Sequence, residues 1–147
     1  GFTNVLTYLN SGNAIFNSKY GKKKVTEIIN NEVRERYKVI IPILIKTASE
    51  IIQIAKSIPS DWNNDKSQQT YVAYLFEEAA YPQLVDELPI KKEYVNIFYK
   101  NECVIWNIKR EFYNKSQITK IVNHKMYSKM TTRNSNTARK LAELCVE

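Results

Sequence analysis

The sequence predicts an α+β fold made of two split β-α-β halves, with mostly antiparallel sheets. Three observations predict it. Strand-like runs alternate with helix-like runs along the whole chain, which sandwich and bundle architectures do not show. Short turn signals join some strands directly, which marks hairpins. The order in the first half is strand, strand, helix, strand, and in the second it is strand, helix, strand, strand, helix.

Each element rests on its own residues. Val5 to Leu9 is strand-like, Asn10-Ser11-Gly12-Asn13 is a turn, and Ala14-Ile15-Phe16 returns as an antiparallel neighbour. From Lys22 to Tyr37, Val25, Ile28, Ile29, Val33 and Tyr37 share one face at helical spacing. Val39 to Lys46 is nearly all apolar and reads as a buried strand, with Pro42 directing it to an edge or a bulge. Thr47-x-x-Glu50 is a capping box, and the helix it starts buries Ala48, Ile51, Ile52, Ala55 and Ile58. Ser60 to Gln69 is the clearest loop and divides the chain into halves at 1–59 and 60–147.

In the second half Gln69 to Phe76 alternates as a strand, and a helix follows from about Tyr81 to Leu88. Tyr94–Tyr99 and Glu102–Ile108 form a hairpin about Lys100-Asn101. Two helices close the chain. The first runs from about Ser116 to Met126, with Ile118, Ile121, Val122 and Met126 inward. The second runs from about Asn136 to Val146, with Ala138, Leu141, Ala142 and Cys145 inward. Both halves thus read as ferredoxin-like, the first without the opening strand and helix of its unit.

Composition limits the partners. The 147 residues are 44% apolar and 25% charged, which is globular. At this size a chain buries roughly 70% of its unfolded surface. Cys103 and Cys145 sit in apolar runs, as buried free thiols do, and two such cysteines fit a reducing, cytoplasmic setting. One His and two Cys make no metal-ligand spacing, and Gly1, Gly12 and Gly21 make no Gly-rich phosphate loop. No cofactor is predicted. No apolar stretch reaches transmembrane length, and no membrane partner is expected.

The net charge of +7 is uneven. Between Ile108 and Lys140 lie Lys109, Arg110, Lys115, Lys120, Lys125, Lys129, Arg133, Arg139 and Lys140, against Glu111 as the one acid. Residues 1–107 hold 13 basic and 12 acidic side chains. Such a segment points to an anionic partner: phosphate, a nucleotide or nucleic acid. The competing reading is a solvated lysine-rich face.

The densest polar stretch is Thr131-Thr132-Arg133-Asn134-Ser135-Asn136-Thr137, entering the last helix. A helix start offers free N–H groups, and Arg133 adds a planar fork suited to phosphate or carboxylate. Thr132, Arg133, Asn134, Asn136 and Thr137 are therefore candidate anion contacts. Simple capping by Asn134 or Asn136 is the alternative. Lys115 and Ser116 enter the preceding helix in the same way, with Ser116 as N-cap. Ser11 and Asn13 are a third polar turn, or a plain hairpin turn. His124 reads as a surface residue or a partner of a helix C-terminus, with no triad about it. Tyr94, Phe98 and Trp106 are either a stacking platform for bases or core. No catalytic residue is assigned.

Three stretches carry a resemblance: Tyr8-Leu9-Asn10-Ser11-Gly12-Asn13-Ala14-Ile15-Phe16, Asn114-Lys115-Ser116-Gln117-Ile118-Thr119, and Met130 through Leu141. In order and spacing they resemble the mainly bacterial domain of unknown function 1697. Ser135 stands where that family usually has Trp, Gln117 where Lys is frequent, and Asn114 where Gly is common. The resemblance implies a strand and a helix ahead of Gly1, and it brings no established activity. The expected function is a non-enzymatic anion-binding module using the helix starts near Ser116 and Arg133. The alternative is an enzyme acting on a phosphorylated or nucleotide-like substrate, part of whose site precedes Gly1.

Overall fold

The computed structural model describes residues 1–9 and 12–146. The fold is α+β with two antiparallel sheets. Strands β1 (Thr3–Tyr8) and β2 (Asn13–Asn17) pair with each other, and the register shifts between Thr3 and Leu6, where Asn4 has φ 52°. This irregularity is a bulge. Asn10 and Ser11 of the expected turn lie outside the described residues. Asn13 closes the hairpin by donating from Nδ2 to the Tyr8 carbonyl at 2.9 Å.

Helix α1 (Lys22–Tyr37) has the expected bounds and buries Val25. Ile28, Ile29 and Val33 are half-buried on the same face, but Tyr37 is exposed. The segment Val39–Lys46 corrects the sequence reading: it is not a strand, and Val39, Ile40 and Ile41 are exposed. An apolar run signals burial, but a strand also needs a partner ladder, and Pro42 has no N–H to give one. Leu44 still packs inward, against the four-stranded sheet's helical layer.

Helix α2 (Ala48–Ser57) starts on the predicted capping box. The Thr47 Oγ1 accepts from the Glu50 N–H at 3.2 Å, and Glu50 Oε2 accepts from the Thr47 N–H at 2.7 Å. Its deepest residue is Ile54, with Ile58 just past its end; Ala48, expected inward, is exposed.

The second sheet has the order β4-β5-β3-β6, formed by β3 (Gln68–Leu75), β4 (Asn96–Lys100), β5 (Cys103–Lys109) and β6 (Met130–Asn134). Every neighbouring pair is antiparallel. The β4–β5 turn sits at Asn101-Glu102, one residue later than expected. Both turn residues have positive φ (52° and 58°), as tight two-residue hairpins require. β5 is buried from Cys103 to Ile108, which marks it as a central strand.

Strand alternation splits the core into two layers. Ala73, Leu75, Val104, Trp106 and Ile108 face Leu84, Leu88, Ile118 and Ile121 on one side. Val72, Tyr74, Cys103 and Ile105 face Ile54, Ile58 and Ala138 on the other. Helices α2 and α5 (Ser135–Val146) cover this second face.

The crossovers on the first face differ from expectation. The helix expected over Tyr81–Leu88 shrinks to α3 (Leu84–Glu87). The long helix expected over Ser116–Met126 is replaced by α4 (Tyr113–Ser116) and a 3₁₀ stretch over Ile118–Asn123. Gln117 lies between them with φ 57°, which an α-helix cannot contain. Ile118 and Ile121, three residues apart, share one face of a 3₁₀ turn and are both buried, leaving Val122 exposed. The polar stretch expected to enter the last helix begins as a strand: Met130–Asn134 is β6, and the helix starts at Ser135. The β-branched threonines of β6 suit an edge strand, and β3 offers an open ladder.

Candidate functional site

β6 sets the candidate site, because its alternation decides where Arg133 goes. Arg133 lies opposite Val72 and Thr131 opposite Tyr74 in the ladder with β3. All four therefore belong to the face covered by α2 and α5. Arg133 is half-buried there and makes specific contacts. Its Nε donates to Asn13 Oδ1 at 2.9 Å, and its Nη1 donates to Thr131 Oγ1 and the Thr132 carbonyl, both at 2.8 Å. The Asn13 contact spans 120 residues of sequence and ties the β1–β2 hairpin to the edge of the second sheet.

Between these two sheets lies a cleft of about 950 Å³. The hairpin supplies Leu6, Asn13 and Ile15; the extended segment before α2 supplies Leu44 and Lys46; β3, β6 and α5 supply Tyr74, Arg133 and Leu144. Lys22 also lines it and pairs with Glu50 at 2.7 Å. Lys46, whose side chain is only 6% exposed, pairs with Glu102 at 2.9 Å.

Burial sets the protonation of Tyr74 and of both cysteines. It pushes the Tyr74 phenol well above its ordinary value, Cys103 adds to the shift, and the Arg133 charge partly opposes it. Tyr74 therefore remains a neutral hydroxyl. Burial likewise pushes the Cys103 thiol up to about 12, with Lys46 opposing. Cys145 is raised by burial alone. None of these is an activated nucleophile.

The structure separates the other candidates. Asn134 is the cap of α5: its Oδ1 accepts from the Thr137 N–H at 2.9 Å. Asn136 is exposed and donates to the Asn64 carbonyl at 3.2 Å. Ser116 is not an N-cap but the last residue of α4, fully buried, donating to the Tyr113 carbonyl and accepting from the Ile118 N–H. Lys115 is exposed, its ammonium 5.9 Å from the Phe112 ring centre. The Ser116 segment packs on the first face of the sheet and α5 on the second, so these two starts do not converge. Ser11 lies outside the described residues.

Several basic residues have internal work. Arg139 donates to Asn63 Oδ1 and to the Pro59 and Trp62 carbonyls at 2.9–3.1 Å, pinning the Ser60–Gln69 loop to α5. Lys129 and Lys140 pair with Glu78 and Glu143. Trp106 and Phe98 belong to opposite core layers, where Trp106 stacks on Tyr71 and Phe98 meets Trp62, while Tyr94 is half-buried and meets Phe112. Sequence reasoning missed the group around His124. Its Nε2 lies 3.4 Å from Glu87 Oε2, and that carboxylate also accepts from the Tyr81 hydroxyl at 2.7 Å. Among the described residues no cluster of His, Cys, Asp or Glu is arranged to hold a metal ion. No helix among them is long and apolar enough to cross a membrane.

With this geometry in place, comparison with known proteins settles the lineage. The structure is similar to that of the conserved bacterial protein SP0830 from Streptococcus pneumoniae, with a TM-score of 0.80. The likeness covers 99% of this chain and 82% of that one at 20% identity, and it establishes the shared fold. No curated protein matches the sequence. The family described as a protein of unknown function (DUF1697) matches residues 1–106, from the hairpin that holds Asn13 through most of central strand β5, and this chain belongs to that family.

Proposed function

We propose that the protein is a non-enzymatic binding module for a small anionic molecule, taken into the cleft between the two sheets and held by Arg133. One observation carries this reading: a guanidinium on the cleft wall, oriented by Asn13, Thr131 and the Thr132 carbonyl. A guanidinium whose orientation is already fixed loses little freedom when an anion joins it, and its charge favours phosphate or carboxylate. Small molecules are favoured over nucleic acid by the placement of the basic residues. Lys115 and Lys120 lie with the first-face segments, whereas Arg133, Arg139 and Lys140 lie with the second. Backbone tracking along nucleic acid needs one continuous positive stripe.

Sulfate and nucleoside monophosphate affinities of wild type, Arg133→Lys and Arg133→Ala test the reading. Alanine should weaken binding by about 1.5–3 kcal/mol, the range for a hydrogen bond to a charged group. Lysine should restore only part of it, because the charge remains and the fork does not. Unchanged affinity accompanied by a lower melting temperature refutes the reading, since Arg133 would then serve only to join the hairpin to β6.

A further inference from the structure

A second cavity, of about 470 Å³, opens at the end of the larger sheet where β3 begins and β5 ends, and it shares no lining residue with the cleft. The ladder sets Gln68 opposite Lys109, and Asn107 precedes Lys109 by two residues, so the three share one face. Lys66, Arg110 and Glu111 also line the cavity, and no lining residue is apolar. Lys66, Lys109 and Arg110 form no ion pair among the described residues, whereas Lys22 and Lys46 of the cleft are both paired. Asp65, outside the lining, accepts at Oδ1 from the Ser67 N–H and hydroxyl and from the Gln68 N–H. The amides between the cations are held in place. Asn107 is only 7% exposed, and its Nδ2 donates to Gln68 Oε1 at 2.7 Å and to Thr70 Oγ1 at 2.9 Å. Its Oδ1 accepts no hydrogen bond among the described residues and is open to the cavity. An acceptor fixed in this way needs no reordering when a ligand's hydroxyl reaches it.

We propose that this cavity binds a sugar phosphate, its phosphoryl group on Lys66 and Lys109 and its hydroxyls on Asn107 Oδ1 and Glu111. The inference is independent of Arg133 and adds a second site. Three cations against one lining acid select an anion, and the two acceptors select hydroxyl donors on the same molecule. Gln68 Oε1 is occupied by the Asn63 N–H and by Asn107, which leaves its Nε2 to donate to a sugar oxygen. Arg110 keeps its Nε on the Asp65 carbonyl and closes the wall. The lining has no ring for a base to stack on and no hydrocarbon for a lipid chain, so nucleotides and lipids gain nothing from it. Inorganic phosphate or sulfate meets the ammonium groups but brings mainly acceptors to Asn107 Oδ1 and Glu111. The volume lies within the range of small-molecule sites.

The test is calorimetric titration with glucose 6-phosphate, glucose and inorganic phosphate. Wild type, the double variant Lys66→Ala/Lys109→Ala and Arg133→Ala are compared. Lys66 and Lys109 are exposed and unpaired, so the double variant should fold, with an unchanged melting temperature. Glucose 6-phosphate should bind about tenfold or more tighter than glucose or inorganic phosphate, since each charge-assisted bond is worth about that much. The double variant should lose that advantage, and Arg133→Ala should keep it. In ¹⁵N-edited NMR the Asn107 side-chain amide should move saturably with glucose 6-phosphate. Weakening by Arg133→Ala but not by the double variant puts the ligand in the cleft and overturns this site. Equal binding of inorganic phosphate and glucose 6-phosphate overturns the ligand class. No saturable binding of glucose 6-phosphate overturns the proposal and leaves the Arg133 reading to its own sulfate test.

Discussion

Arg139→Ala separates two uses of the basic C-terminal third: a surface for an anionic partner, or scaffolding inside the fold. The Arg139 guanidinium holds two backbone carbonyls and one side-chain amide oxygen of the loop that follows α2. A hydrogen bond from a charged donor is worth about 1.5–3 kcal/mol when desolvated. Arg139 is half-buried, so water can reclaim part of each contact when the side chain is removed. The net loss should be about 2 kcal/mol, less than the sum of three bonds. For a chain of this size that corresponds to roughly 7 °C in melting temperature. Arg139→Lys should recover less than half, because one ammonium cannot span all three acceptors. The assay is thermal unfolding beside sulfate titration on the same variants. A melting temperature within about 1 °C of wild type would refute the scaffolding role, given the per-kcal shift expected here. Reduced sulfate affinity with unchanged stability would return Arg139 to the binding surface.

Three further outcomes follow from the geometry. Thr47→Ala removes the hydroxyl half of the capping box and should cost about 1 kcal/mol in urea unfolding. Burial raises the Glu50 carboxyl, but hydrogen bonds from Lys22 and the Thr47 N–H, with the Lys22 and Lys46 charges, outweigh it and hold the value below the usual 4.5. A lowered carboxyl stabilises the fold above 4.5, and that stability is lost as pH falls through the lowered value; Glu50→Gln should therefore flatten the acid limb of the stability profile. The buried Cys103 thiol should react with a disulfide reagent at neutral pH only after unfolding, with half-buried Cys145 reacting first.

How much was legible in the sequence depended on how local the cause was. Helix α1, the Thr47 capping box and the β4–β5 hairpin follow from spacing and turn chemistry within a few residues; the first two form where expected, and the hairpin forms with its turn one residue late. Val39–Lys46 misled because apolarity reports burial and not pairing. The Ser116 helix failed at Gln117, whose left-handed conformation nothing in its residue type demands. Arg133 was singled out for its chemistry, but the strand that holds it was obscured by its polarity, although Thr131 and Thr132 carried the β signal. Its partner Asn13, read as a hairpin residue, is brought there only by tertiary structure. The cleft is likewise built from segments far apart in the chain, none of which announces it alone.

The most direct test of Arg133 as the anion contact is a sulfate titration followed by the guanidinium Nε–H resonances in ¹⁵N-edited NMR, with Arg133→Lys used to assign its peak. The account predicts that the Arg133 resonance moves saturably while those of Arg110 and Arg139 stay in place. A stationary Arg133 peak while the other arginines shift would contradict it.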